Sequence, residues 1–201
     1  MVDIKKVQRK KPLPKEKPKQ INQAQHPDVN ISSEEYSKIY KNQRVAVFID
    51  VQNLYHSAKA LYKKKVNFKS LLDEAIGQRQ LIRSFAYVVR TKTGEEKPFF
   101  DALEKTGIEM RVKDLQEYYG GMKKADWDVG IAVDAIKTEN VDVTVIASGD
   151  GDYIPLVEYL KNHGKRVEVM AFGKSTSSKL REVADHFIDL NENQGKFLLR
   201  Q

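Results

Sequence analysis

Arg44-Val45-Ala46-Val47-Phe48-Ile49-Asp50-Val51-Gln52-Asn53 turns within a few positions from an unbroken apolar run to a carboxylate and then to polar side chains. A short run without polar alternation is the pattern of a strand buried on both faces. A carboxylate at its end stands where open α/β sheets present their ligands. Similar runs recur at Leu81 to Val89, Ile108 to Val112, Val141 to Ala147 and Arg166 to Phe172, with a shorter sixth at Phe187 to Leu190. Helix-length amphipathic segments separate them, near Asn53 to Tyr62, Phe68 to Arg79, Lys97 to Lys105, Trp127 to Lys137, Tyr153 to Asn162 and Ser177 to Ala184. Strands alternating with helices predict an α/β fold: a mainly parallel sheet of five or six strands, order 3-2-1-4-5, with helices on both faces.

That order makes strands one and four neighbours. Asp50 then faces Ser148-Gly149-Asp150-Gly151-Asp152-Tyr153, which follows strand four. The helix preceding strand four runs antiparallel to the strands, so Lys124-Ala125-Asp126-Trp127-Asp128 begins at the same edge and Asp128 is placed to join. Asp134, nearly two turns further, is a weaker candidate. Each aspartate has an ordinary alternative as a helix cap, a turn residue or a strand end. Together they are costly, because two like charges about 4 Å apart repel by roughly 4 kcal/mol at an effective dielectric near 20. Protons or a divalent cation relieve that cost. Oxygen ligands favour Mg²⁺ or Mn²⁺, and such a cation at the mouth of an α/β sheet most often handles phosphates. Neither a GxxxxGK[ST] loop nor a GxGxxG after a strand is present, which disfavours nucleotide-triphosphate and dinucleotide folds.

Composition narrows the classes further. The chain has 201 residues, a formal charge of +7, 40% hydrophobic and 31% charged residues, and no cysteine. Disulfides, thiol catalysis, iron–sulfur clusters and thiolate zinc sites are therefore excluded. Residues 1 to 20 hold eight basic and two acidic side chains, so +6 of the +7 sits there and the body is nearly neutral. A histone-like, globally basic protein is ruled out. Four of the six prolines (Pro12, Pro14, Pro18, Pro27) fall in this region, with no aromatic before Tyr36. Residues 1–43 are read as a basic, Pro-containing disordered arm, with a short helix at Ser33 to Tyr40 as an option and a tether to nucleic acid or a solubilising tail as its alternative roles. A domain at 44–190 and a tail or short helix at 191–201 follow. The longest apolar run is far short of the roughly 18 residues needed to span a bilayer, and none follows the basic N-terminus. A cytoplasmic location without membrane contact is expected.

In three places the sequence resembles a known family. Phe48-Ile49-Asp50-Val51-Gln52-Asn53-Leu54, then Lys124 through Asp128-Val129-Gly130-Ile131 to Asp134, then Ser148-Gly149-Asp150-Gly151-Asp152-Tyr153 with Pro155-Leu156 and the later Gly164, are similar to the successive motifs of NYN domains. The nearest subgroup is the LabA-like proteins, relatives of the PIN-domain nucleases. The resemblance spans Arg44 to Leu190 and implies a Rossmann-like PIN fold, an acidic metal site and metal-dependent hydrolysis of RNA. It implies Asp50, Asp128, Asp150 and Asp152 as metal-binding and catalytic carboxylates, with Asn53 shaping the site. Tyr153 stands where the family often has phenylalanine.

Other features agree with single-stranded RNA as partner. Ser175 and Thr176 after strand five are candidate phosphate contacts or part of a Ser-rich cap. Arg90 and Lys92 after strand two, and Lys124 beside Asp128, could guide a phosphate backbone or belong to a solvated face. Tyr118-Tyr119-Gly120-Gly121 could stack bases or pack on the body. A homodimer is an open option. The leading expectation is a Mg/Mn-dependent ribonuclease; the alternative is a catalytically weak RNA-binding or regulatory module on the same fold. A phosphoacceptor receiver domain fits poorly. It expects a further aspartate at the end of the central strand three and a lysine after the last strand, whereas strand three here ends Arg111-Val112-Lys113-Asp114 and the acidic pair follows strand four.

Overall fold

The computed structural model describes residue 38 and residues 40–91, 93–117, 123–124 and 126–200; of Gln116, Glu117, Lys123 and Lys124 it describes the backbone. Nearly all of the expected arm, Lys92 and Tyr118-Tyr119-Gly120-Gly121 lie outside the described residues.

The opening run forms β1 (Arg44–Asp50). Its side chains alternate between two faces, and both are covered. Val45, Val47 and Ile49 pack with one core, Ala46 and Phe48 with the other, and all five are 0% exposed. Along the chain follow α1 (Val51–Tyr62), α2 (Phe68–Ile76), β2 (Gln80–Arg90), α3 (Lys97–Glu104) and β3 (Glu109–Asp114). Two very short strands come next, β4 (Gln116–Glu117) and β5 (Lys123–Lys124), and then α4 (Asp128–Lys137) and β6 (Val143–Ala147). A 3₁₀ turn (Gly151–Tyr153) leads into α5 (Ile154–Asn162), followed by β7 (Arg166–Ala171), α6 (Ser178–Val183), β8 (His186–Asp189) and α7 (Gln194–Phe197).

The main sheet has six strands in the order β3-β2-β1-β6-β7-β8, and each pairing is parallel. Counted within this sheet the order is 3-2-1-4-5-6, the doubly wound arrangement expected, with the short sixth strand at the edge. Helices α1, α2, α3 and α7 bury residues such as Leu54, Leu71, Leu103 and Phe197 on one face. Helices α4, α5 and α6 bury Ile131, Leu156 and Leu180 on the other.

Several boundaries depart from the expectations, α2 ending at Ile76 and not Arg79 among them, and so does one element. Helix α1 begins at Val51, two residues before the expected start, because Asp50 is itself the N-cap and accepts a hydrogen bond from the Asn53 amide. The antiparallel ribbon of β4 and β5 was not anticipated; two residues a side are too few to carry a period. No helix among the described residues is long and apolar enough to cross a membrane.

Candidate active site

The order of the sheet sets β1 beside β6, with Ile49 opposite Ala147. The residues that follow these two strands therefore meet at the carboxyl edge. Asp50 is 9% exposed. Its Oδ1 accepts from the Asn53 amide at 3.0 Å, and its Oδ2 accepts from Ser148 Oγ at 3.2 Å and from Tyr153 Oη at 3.3 Å. The same Tyr153 hydroxyl lies 3.0 Å from Asp128 Oδ1. A phenol has one proton to donate, so Asp50 and Asp128 compete for it.

Burial is the largest cause of an upward shift in the Asp50 carboxyl pKa, and the charge of Asp128 adds to it. The hydrogen bonds from Asn53, Ser148 and Tyr153 oppose the shift without cancelling it. Asp128 is also raised, first by burial and then by the charges of Asp150, Asp126 and Asp152, against the hydrogen bond from Tyr153. Tyr153 is 1% exposed, and its hydroxyl is pushed strongly upward by burial and by the two carboxylates, so it stays protonated as a donor.

Asp150 and Asp152 stand outside this contact. Asp150 caps the 3₁₀ turn, its Oδ1 accepting from the Asp152 amide at 3.0 Å, and Asp152 is exposed. Both act on Asp128 through their charge. Among the described residues, no three acidic or histidine side chains are gathered closely enough to hold a metal ion by themselves. A pair of carboxylates nonetheless suits Mg²⁺, which is commonly held by one or two carboxylates and completed by water and phosphate oxygens. On donor chemistry, Asp50 and Asp128 fit that requirement.

Close packing fixes the frame. Asn53 Oδ1 accepts from the Gly149 amide at 3.0 Å, clipping the start of α1 to the loop after β6. A Cβ on Gly149 would lie 2.8 Å from Thr176 Oγ1 and 3.2 Å from its Cα, so the loop needs a glycine to pass there. Trp127 donates from Nε1 to the Val88 carbonyl at 3.0 Å and packs edge-on against Tyr87, which anchors the start of α4 just before Asp128. A Cβ on Gly130 would come within 2.6 Å of the Trp127 ring.

The remaining expected residues are placed as follows. Asp134 accepts from Tyr87 Oη at 2.9 Å and from Arg111 Nε at 3.3 Å, engaged with the sheet instead of the other aspartates. Arg90 pairs with Asp114 at 2.7 Å on the surface. Thr176 Oγ1 donates to the Phe172 carbonyl, and Ser175 Oγ contacts that carbonyl and Ser57 Oγ, so these hydroxyls serve the loop itself. Lys92 and the side chain of Lys124 lie outside the described residues. Two contributors went unassigned in the sequence. Ser148, 0% exposed, donates to Asp50 and accepts from the Asp150 amide, and Tyr153 bridges two carboxylates. The sequence signal for both was their position beside Asp150 directly after a strand.

Comparison with known proteins agrees with this architecture. The NYN domain family profile matches residues 44–191. The chain is 26% identical over 165 residues to the Low amplitude and bright protein LabA of Synechococcus elongatus, covering 76% of this chain and 87% of that protein. It is 25% identical over 169 residues to an uncharacterized protein of Methanocaldococcus jannaschii, covering 81% of this chain and 63% of that one. A crystal structure of a protein of unknown function from Vibrio parahaemolyticus superposes with a TM-score of 0.72 at 30% identity, over 79% of this chain and 98% of that one. The chain belongs to the NYN domain family, a PIN-like, nuclease-related group, and within it to the LabA-like proteins.

Proposed function

We propose that the protein is a ribonuclease that uses Mg²⁺ or Mn²⁺ to hydrolyse phosphodiesters of single-stranded RNA. The observation that carries this reading is the meeting of Asp50 and Asp128 on one buried hydroxyl at the carboxyl edge of the sheet. Asp50 and Asp128 would hold the cation, with Asp150 and Asp152 bordering it. When bound, the cation supplies an acidified water and offsets charge on the leaving oxygen. The chain's own residues do the rest. Asn53 and Ser148 orient the Asp50 carboxylate. The second oxygen of Asp128, the one not held by Tyr153, is left open toward the cation and the attacking water.

Cleavage of single-stranded RNA should require Mn²⁺, stop on addition of EDTA, and fall by at least about 100-fold in Asp50→Asn, the loss of order 3 kcal/mol expected for an essential group. Activity that survives both chelator and substitution would sink the metal mechanism. A second reading, an RNA-binding or regulatory module of weak catalysis, is favoured by the absence of a third close carboxylate among the described residues. It expects RNA binding that EDTA leaves unchanged and no cleavage.

A further inference from the structure

The site contains two carboxylates whose charges oppose each other and one neutral group that touches both. Tyr153 ends the 3₁₀ turn after β6, and its amide bonds back to the Asp150 carbonyl at 3.3 Å. Its ring is packed among the core residues of the α4 and α5 face. The hydroxyl is thereby delivered from beneath the site at a fixed point. Asp50 has two further donors, the Asn53 amide and Ser148 Oγ, and keeps its orientation without Tyr153. Asp128 is differently placed. It is the first residue of α4, one position past the cap residue Trp127, and the Tyr153 hydroxyl is what ties it to β1.

We propose that Tyr153 is a positioning residue: its buried hydroxyl, fixed by the core packing of its ring, donates to Asp128 and holds that carboxylate beside Asp50 so that a divalent cation can bind the pair. The inference rests on the proposed function for the identity of the ligand alone. A phenyl ring at 153 would fill the same space and supply no donor. Asp128 would then turn away from Asp50 under their repulsion, and the cation would have to pull it back at the cost of affinity. Groups that orient a metal's ligands contribute in this way, and their loss typically costs about 10- to 100-fold in metal affinity or activity.

The test is titration of the metal-free protein with MnCl₂ alone, by calorimetry, for wild type, Tyr153→Phe and the control Tyr62→Phe. Tyr62 is a second tyrosine whose hydroxyl donates to another side chain, Asn191, outside the site. Tyr153→Phe should weaken Mn²⁺ binding by about 10- to 100-fold and lower kcat for RNA over the same range with KM nearly unchanged, while Tyr62→Phe changes neither. In an Asp128→Asn background, Tyr153→Phe should add no further loss of Mn²⁺ affinity, since its effect passes through Asp128. This second comparison also separates positioning from a general loosening of the fold. Mn²⁺ affinity of Tyr153→Phe within about twofold of wild type, or losses that add in full with Asp128→Asn, overturns the inference. A wild type that binds Mn²⁺ and cleaves no RNA removes the ribonuclease reading and leaves this one standing; a wild type that binds no Mn²⁺ removes both.

Discussion

Glu168 in β7 and Asp50 at the end of β1 are both carboxylates buried against the same sheet, at 4% and 9% exposure, and the protein treats them in opposite ways. Glu168 receives both terminal nitrogens of Arg79, at 3.0 and 2.9 Å, and the Nε of Arg166 at 3.0 Å. Arg79 is itself held by the Ala75 and Ile76 carbonyls and covered by the Tyr40 ring, 5.1 Å from the guanidinium. Burial alone would raise the Glu168 pKa, yet the two arginines bring it below the ordinary range. Asp50 meets neutral donors and a second carboxylate, and its pKa goes up. Both residues therefore face a desolvation penalty, and in one case the fold supplies the cation while in the other it does not. A carboxylate neutralised from within is a structural element. One left uncompensated at the ligand-binding edge of an α/β sheet is a place for something from outside.

The largest effect is expected where the compensation is removed. Arg79→Met leaves Glu168 buried with a single, half-exposed partner in Arg166 and should cost about 3–5 kcal/mol in urea unfolding, the usual penalty for breaking a buried pair. The double variant Arg79→Met with Glu168→Leu should recover most of it, because no charge is left buried. RNA cleavage per folded molecule should be unaffected in both. A single-variant cost below about 1 kcal/mol, the range of exposed pairs, would mean that the pair is not structural and would erase the contrast.

On the other side of the comparison the sign reverses. In Asp50→Asn the amide oxygen can keep the Asn53 bond, and its NH₂ meets Ser148 and Tyr153, whose hydroxyls can both accept. The buried charge and its repulsion with Asp128 disappear. Stability should rise by of order 1 kcal/mol, or about 2–4 °C in Tm for a chain of this size, although cleavage is lost. Such a trade of stability against activity is the mark of a site held in a costly state for function. A variant that is both inactive and less stable would make Asp50 an ordinary structural cap.

Much of this contrast could be anticipated from residue order. The five apolar residues before Asp50 and the strand-helix alternation placed β1 beside β6, and hence Asp50 beside the Ser148 to Tyr153 loop, because sheet order follows from chain connectivity and crossover handedness. What order could not settle was which way short side chains turn. Asp150 and Asp152 share a four-residue segment with Tyr153. One caps the turn, the other is exposed, and the hydroxyl at the centre of the site belongs to the aromatic residue, whose ring packs in the core. Asp134 lies on the same helix as Asp128 but nearly two turns down, where Tyr87 and Arg111 reach it first. The hydroxyls of Ser175 and Thr176 turned to the Phe172 carbonyl, a local competition that sequence spacing does not reveal. The Arg79–Glu168 pair, 89 residues apart in the chain, had no local signature at all.

The smallest and most diagnostic difference lies in the pH dependence of the two sites. Asp50 has a folded pKa above its unfolded one, so the protonated form favours folding. Wild type should hold its own against Asp50→Asn at pH values below the ordinary carboxylate range and lose ground as pH rises through the raised value. Glu168 has a folded pKa below its unfolded one. Its contribution is present above the ordinary range and is lost as pH falls through the lowered value, so Glu168→Gln should cost most near neutrality and least in acid. Each difference can change by at most about 1.4 kcal/mol per pH unit, the limit for one proton. The groups facing Asp50 are Asp128, Tyr153 and Ser148, of which the Asp128 pKa is raised as well; those facing Glu168 are Arg79 and Arg166. Unfolding free energies of the two variants relative to wild type, followed from neutral pH into acid, should therefore start with opposite signs and shrink toward each other. An Asp50→Asn variant that is less stable than wild type at neutral pH and gains on it in acid would place Asp50 with Glu168, as a carboxylate whose charge the fold already satisfies.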